Sequence, residues 1–161
     1  MKKILSLLLA LVAVLSLAAC GKSPAEETVS PNATIGEKLL FDFKQNVDST
    51  ESLEELGNIL VANEAIEFAP MVTPVEEGYL AGFDQEIHGF TEGVCFGPMI
   101  GSIPFVGYVF RTESEAAAAE LVKTLNDNAN LSWNICVTAD EKICEAVGSN
   151  VFFVMAPAAQ G

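Results

Sequence analysis

Residues 93–110 carry no charge, and they constrain the fold more than any other stretch of the mature chain. The glycines at 93, 97 and 101 repeat at the spacing of a helix-dimer seam, which raises the question of a membrane-crossing helix. Pro98 and Pro104 decide against a helix, because proline removes a backbone donor and its ring clashes with the carbonyl four residues back. The sequence therefore predicts two strands, over 93–96 and 105–111, joined by a proline-glycine loop. A strand apolar on both faces belongs in the middle of a sheet.

The elements on either side follow from capping and periodicity. Thr34-Ile35-Gly36-Glu37 has the spacing of a capping box, and Ile35, Leu39, Phe43 and Val47 then recur every four residues on one helix face. Ser52-Leu53-Glu54-Glu55 opens a shorter helix with Leu53, Leu56 and Leu60 inward. A third box, Thr112-Glu113-Ser114-Glu115, precedes an alanine run whose inner stripe is Ala118, Leu121, Val122 and Leu125. Strands are predicted over 68–72 and 135–138. Residues 143–147 and 151–155 read as a hairpin around Gly148-Ser149-Asn150. A helix over 139–147, capped by Thr138 and Glu141 and stopped by Gly148, is the competing reading of the first arm. The expected fold is α+β: two N-terminal helices, then an antiparallel sheet with a helix packed on one face, forming a single domain over 34–157 with a tail at 158–161.

The first nineteen residues stand apart from that domain. Lys2 and Lys3 precede an apolar run ending in Leu17-Ala18-Ala19, the layout of a secretory signal peptide. With Cys20 directly behind it, the stretch resembles the lipobox of bacterial lipoproteins. The resemblance implies export, cleavage before Cys20, a diacylglyceryl group on its sulfur, and usually a further acyl chain such as palmitate on the new amino terminus. Residues 20–33, with Pro24 and Pro31 and no apolar periodicity, are expected to be a flexible tether. The implied location is the outer face of the cytoplasmic membrane, anchored by the Cys20 lipid. The strand–helix–strand–strand order of the last third also resembles that of small bacterial lipoproteins without an assigned activity, and it transfers no functional residue.

Charge narrows the partners. The 161-residue chain has a formal net charge of −14, and loss of a leader holding two lysines and no acid makes it more negative still. Nucleic acid and anionic lipid headgroups are excluded as electrostatic partners, and the domain is expected to stand off the membrane surface. No phosphate-binding glycine loop, calcium loop or nucleophile elbow is present, so no cofactor and no metal are expected.

Few residues are left to carry chemistry. Cys95, Cys136 and Cys144 remain after Cys20, an odd number. A three-residue turn at 139–141 would set Cys136 opposite Cys144, with β-carbons about 4.5–5.5 Å apart, near disulfide reach. A two-residue turn, or the helix reading, would separate them. Cys95 reads as a core thiol. His88 is the single imidazole and is expected on the surface. Arg111, the single arginine, is expected to pair with Glu113 or another acid. The aromatic-glycine stretch 79–110 is the residual binding surface, with Tyr79, Phe83, His88, Met99 and Pro104 as its candidates and an exposed apolar patch expected over 99–104. The leading functional reading is a non-enzymatic binding or interaction module that contacts an envelope protein or a small apolar ligand. The alternative is an envelope enzyme or redox protein using His88 or a cysteine, which requires His88 in a cleft beside a nucleophile.

Overall fold

A computed structural model of the protein describes residues 29–158. The leader, Cys20, the first part of the tether and the last three residues lie outside the described residues. In chain order the elements are α1 (Ile35–Asn46), α2 (Leu53–Val61), β1 (Pro70–Val75), β2 (Gly78–Tyr79), β3 (Glu86–Ile87), β4 (Glu92–Pro98), β5 (Val106–Arg111), α3 (Glu115–Asn128), β6 (Glu141–Val147) and β7 (Asn150–Ala156). Five strands form one antiparallel sheet in the order β1-β4-β5-β7-β6, and β2 pairs with β3 in a separate ribbon. The fold is α+β.

The uncharged stretch does supply inner strands. All of β5 from Val106 to Phe110 is buried, as is β7 from Val151 to Ala156, whereas the outer strands β1 and β6 are only half-buried. The β1 edge is protected by its prolines. Pro70 lies opposite Pro98, and two residues without N–H groups cannot exchange hydrogen bonds, so theirs is a non-hydrogen-bonded pair. Alternation then turns the backbone of positions 70, 72 and 74 outward, and two of these three are proline. An edge with so few donors is a poor template for an added strand.

The first capping box is complete. Thr34 Oγ1 accepts from the Glu37 N–H at 3.2 Å, and the Glu37 carboxylate accepts from the Thr34 N–H at 2.9 Å. Ser52 caps α2 from its side chain alone. The third cap sits two residues later than expected, at Ser114, whose Oγ accepts from the Ala117 N–H. Thr112 is buried, with its Oγ1 2.9 Å from the carbonyl oxygens of both Ser114 and Ser149, and is not available as a cap. The hairpin, and not the helix, forms at 141–156. Its two-residue loop puts Gly148 at φ +57 with no positive φ at Ser149, the pattern of a type II′ turn.

Two expected strands differ. The one predicted at 68–72 begins at Pro70 and runs to Val75. The one predicted at 135–138 does not form, because side-chain and turn hydrogen bonds claim its neighbourhood. Asn130 Oδ1 accepts from the Ser132 N–H at 2.9 Å, the Val137 N–H donates to the Asn134 carbonyl at 3.0 Å, and the Ala139 N–H donates to the Leu131 carbonyl at 2.9 Å. Asparagines that satisfy nearby backbone groups compete with a strand ladder. Without that strand the proposed Cys136–Cys144 register has no basis, and both cysteines are free.

Alternating side chains divide the core between the two sheet faces. Phe96, Val109, Phe152 and Val154 pack under α1 and α2, which contribute Leu39, Phe43, Leu53, Leu56 and Leu60. Tyr108, Phe110, Phe153 and Met155 point the other way, toward Leu121 and Leu125 of α3 and toward Phe83, Ile87 and Phe90 from the segment around the small ribbon.

Candidate functional site

The second face is roofed unevenly. Helix α3 contacts β6 and β7, while β1 and β4 on that side have no helix over them. Their uncovered side chains include Met71 and Thr73 on β1 and Cys95 on β4, with Gly97 leaving space beside them. Ile103 and Trp133, from two loops, complete the walls of a pocket of about 200 Å³ that no charged residue lines. The loops are tied together where Asn134 Nδ2 donates to the Gly101 carbonyl at 2.6 Å.

Exposed apolar side chains occur at the lining residue Met71 and at the chain neighbours of Pro98, Gly101 and Asn134. Ile135 is 97% exposed, Ile100 75%, Met99 67% and Met71 46%. Isolated exposed aliphatics are ordinary, but a cluster around a concavity marks a contact site. A second cavity, about 430 Å³, lies on the other side of Ile103 and has Lys38, Glu64 and Glu67 among its walls with Ile35 and Phe68. Its charged lining suits an apolar occupant less well.

Neither half-buried thiol, Cys95 at the pocket or Cys144 on β6, is activated. Burial raises the Cys95 pKa, with a hydrogen bond to Tyr108 opposing the rise only in part. Tyr108 is itself raised, chiefly by burial, and donates to the Ala81 carbonyl at 2.9 Å. Cys144 lies under α3 with its Sγ 3.8 Å from the Val122 carbonyl, and burial pushes its thiol up to about 12. A protonated thiol in apolar surroundings is a poor nucleophile.

The sequence candidates separate. Met99 is exposed directly after the lining residue Pro98, and half-buried Pro104 lies in the same loop. Tyr79 is exposed on β2 and does not line the pocket, although Ala81, two residues on, does. Phe83 is not a surface residue: its ring packs 4.8 Å from Phe153 and 5.7 Å from Tyr108, because the chain at Gly82 turns inward over β5 and β7. His88 is exposed, with Nδ1 3.3 Å from Glu77 Oε2 and Nε2 3.3 Å from Glu86 Oε2. Its pKa is raised, first by the hydrogen bond with Glu77 and then by that with Glu86. Glu77 also accepts from the Gly89 N–H, which lowers its own pKa. This is a clasp across the ends of the small ribbon, with no nucleophile at the imidazole. Arg111 pairs with Glu92 at 2.8 Å and not with Glu113, since Glu92 is its cross-strand neighbour. Among the described residues no group of His, Cys, Asp or Glu is placed to hold a metal ion.

Sequence reasoning missed Met71, Trp133 and Ile135. The short run from Ile135 to Thr138, after Trp133, was the signal read as a strand. The asparagines at 128, 130 and 134 were the opposing signal. Fold and pocket together define an α+β domain with α1 and α2 over one sheet face and an apolar pocket on the half of the other face that α3 leaves uncovered. No protein-family model, no curated protein and no solved structure matches the chain.

Proposed function

We propose that the protein is a lipid-anchored extracytoplasmic module without catalytic activity, which holds an apolar group in the pocket between Cys95 and Trp133. The observation that carries this reading is an uncharged pocket of about 200 Å³ lined by Met71, Cys95, Ile103 and Trp133, with the exposed Met99, Ile100 and Ile135 next in the chain to its lining residues Pro98, Gly101 and Asn134. That volume exceeds the roughly 150 Å³ of a dry cavity that takes up benzene and falls below the roughly 300 Å³ at which small-molecule clefts begin. The occupant is therefore a single ring or branched aliphatic group, presented by a small apolar ligand or by a side chain of an envelope protein. The enzymatic alternative draws no support from His88, which faces two carboxylates, or from Cys95 and Cys144, which burial keeps protonated.

Two measurements test the reading. Titration with cyclohexane, followed by Trp133 fluorescence, is expected to saturate. Gly97→Leu, whose Cβ meets nothing closer than the Phe105 carbonyl at 3.6 Å, is expected to fill the pocket and abolish the response. An unchanged response in that variant places the probe elsewhere and defeats the assignment. For the anchor, Cys20→Ala is expected to release the protein from membranes, and pelleting of the variant after a carbonate wash contradicts it.

A further inference from the structure

We infer that the apolar loops around the pocket rest on the membrane surface, so that the pocket opens toward lipid and not toward bulk water. The inference depends on the Cys20 lipid anchor proposed above and goes beyond it by orienting the domain.

The first support is where the tether joins. The Gly36 N–H in the first turn of α1 donates to Glu141 Oε1 at 2.8 Å. Glu141 pairs with Ala156, and its neighbour Met155 pairs with Val106. Pro98 and Pro70 pair at the same end of the sheet. The start of α1 therefore shares one end of the molecule with the loops over 99–105 and 129–140, and Ile35 and Ile103 line one cavity.

The second support is the distribution of exposed apolar side chains. Of the six large ones exposed among the described residues, Met71, Met99, Ile100, Leu131 and Ile135 lie at this end. Tyr79 alone lies toward the other, beyond the β1 terminus that pairs with Gly93. Cys20 lies only fifteen residues before Ile35, and the far end of a domain this size is about 35 Å away. The anchor thus keeps the apolar end near the bilayer and the far end away from it.

Charge sets the character of the contact. With a net charge of −14, the chain gains nothing from anionic headgroups. Aliphatic side chains at loop tips enter the interfacial zone by burial of apolar area instead. Charge alone led to the expectation of a domain held off the surface; the placement of the apolar loops reverses it. Contact of this kind is insensitive to salt and weaker on anionic lipid.

Trp133 is the single tryptophan of the chain and lines the pocket, so it reports directly. The lipidated protein, purified from membranes, is reconstituted into phosphatidylcholine vesicles with or without lipid brominated near the glycerol end of its acyl chains. Trp133 emission is expected to fall by about half in the brominated vesicles and to stay so in about 0.5 M salt, where the Debye length is only a few ångströms. The double variant Met99→Asp/Ile135→Asp, with its urea midpoint checked against the parent, is expected to lose most of that quenching while still floating with the vesicles. Equal emission from the two vesicle types, with the protein still floating, overturns the orientation and leaves the anchor standing. Failure to float overturns the anchor and the orientation with it. An unquenched protein that sediments as a dimer assigns the patch to a second copy and likewise overturns the inference.

Discussion

The two faces of the sheet are built from alternate residues of the same strands, yet they close differently. Under α1 and α2, Phe43, Phe96 and Phe152 are fully buried, and their rings lie 5.4 Å (Phe43–Phe152) and 6.4 Å (Phe96–Phe152) apart. On the opposite face α3 covers β6 and β7, and loops cover the rest. A helix satisfies its own backbone and can press an apolar stripe flat against a sheet. A loop must find partners for its backbone groups, as Asn130 and Asn134 show, and so it bridges over the sheet and leaves a gap. The pocket is the consequence of covering a two-sided sheet with three helices placed unequally.

The largest expected contrast follows from that difference. Phe43→Ala, on the closed face, is expected to cost about 3–5 kcal/mol, as buried aromatic truncations do. Met71→Ala, on the open face, is expected to change stability by about 0.5 kcal/mol or less. Urea denaturation measures both, and similar costs would erase the distinction between the faces. The next contrast concerns glycines. A β-carbon at Gly107 would sit 2.2 Å from the ring of Phe96, its cross-strand neighbour, so Gly107→Ala overpacks the closed face. A cost of about 1–3 kcal/mol or more is expected. Gly101, in the pocket loop, has nothing within 4 Å of that position, and Gly101→Ala is expected to stay within about 0.5 kcal/mol of the parent.

The smallest effect belongs to the clasp at His88, which sharpens the comparison by separating the ribbon from the pocket. Its raised pKa means that the stability it contributes is complete below the ordinary 6.5 and is lost as pH rises through the raised value. On the acid side, the lowered pKa of Glu77 means that its contribution is present above the ordinary 4.5 and is lost as pH falls through the lowered value. An NMR titration of the imidazole is expected to place its pKa above 6.5 and to place it lower in Glu77→Gln. A pKa at or below the ordinary value would remove the clasp.

Elements whose signals are local were legible in the sequence. Thr34 and Glu37 announce α1 because both halves of the box lie within one turn, and Pro98 and Pro104 force strands where the apolar run alone was ambiguous. The hairpin read over 143–155 stood beside a helix reading of 139–147, because Gly148 serves equally as a turn residue and as a helix stop. The pocket was not legible, because it depends on which half of the second face α3 occupies, a tertiary outcome no window of residues encodes. Phe83 and Met99 have similar apolar character in sequence, and only the inward turn at Gly82 separates a core ring from a surface residue. The strand expected at 135–138 did not form because a run as short as Ile135–Thr138 cannot outweigh the turn hydrogen bonds that Asn130 and Asn134 supply to its neighbourhood.

The account stands most directly on the claim that the loop-covered half of the second face takes up an apolar group. Methyl NMR of the protein labelled at methionine and isoleucine, titrated with cyclohexane, tests it. Met71 lines the pocket and Met99 follows its lining residue Pro98, whereas Ile143 packs against the core under α1 and α2. The account predicts saturable shifts at Met71 and Met99 with Ile143 unmoved. Shifts at Ile143 with Met71 silent, or no saturable shift at any of the three, would contradict it.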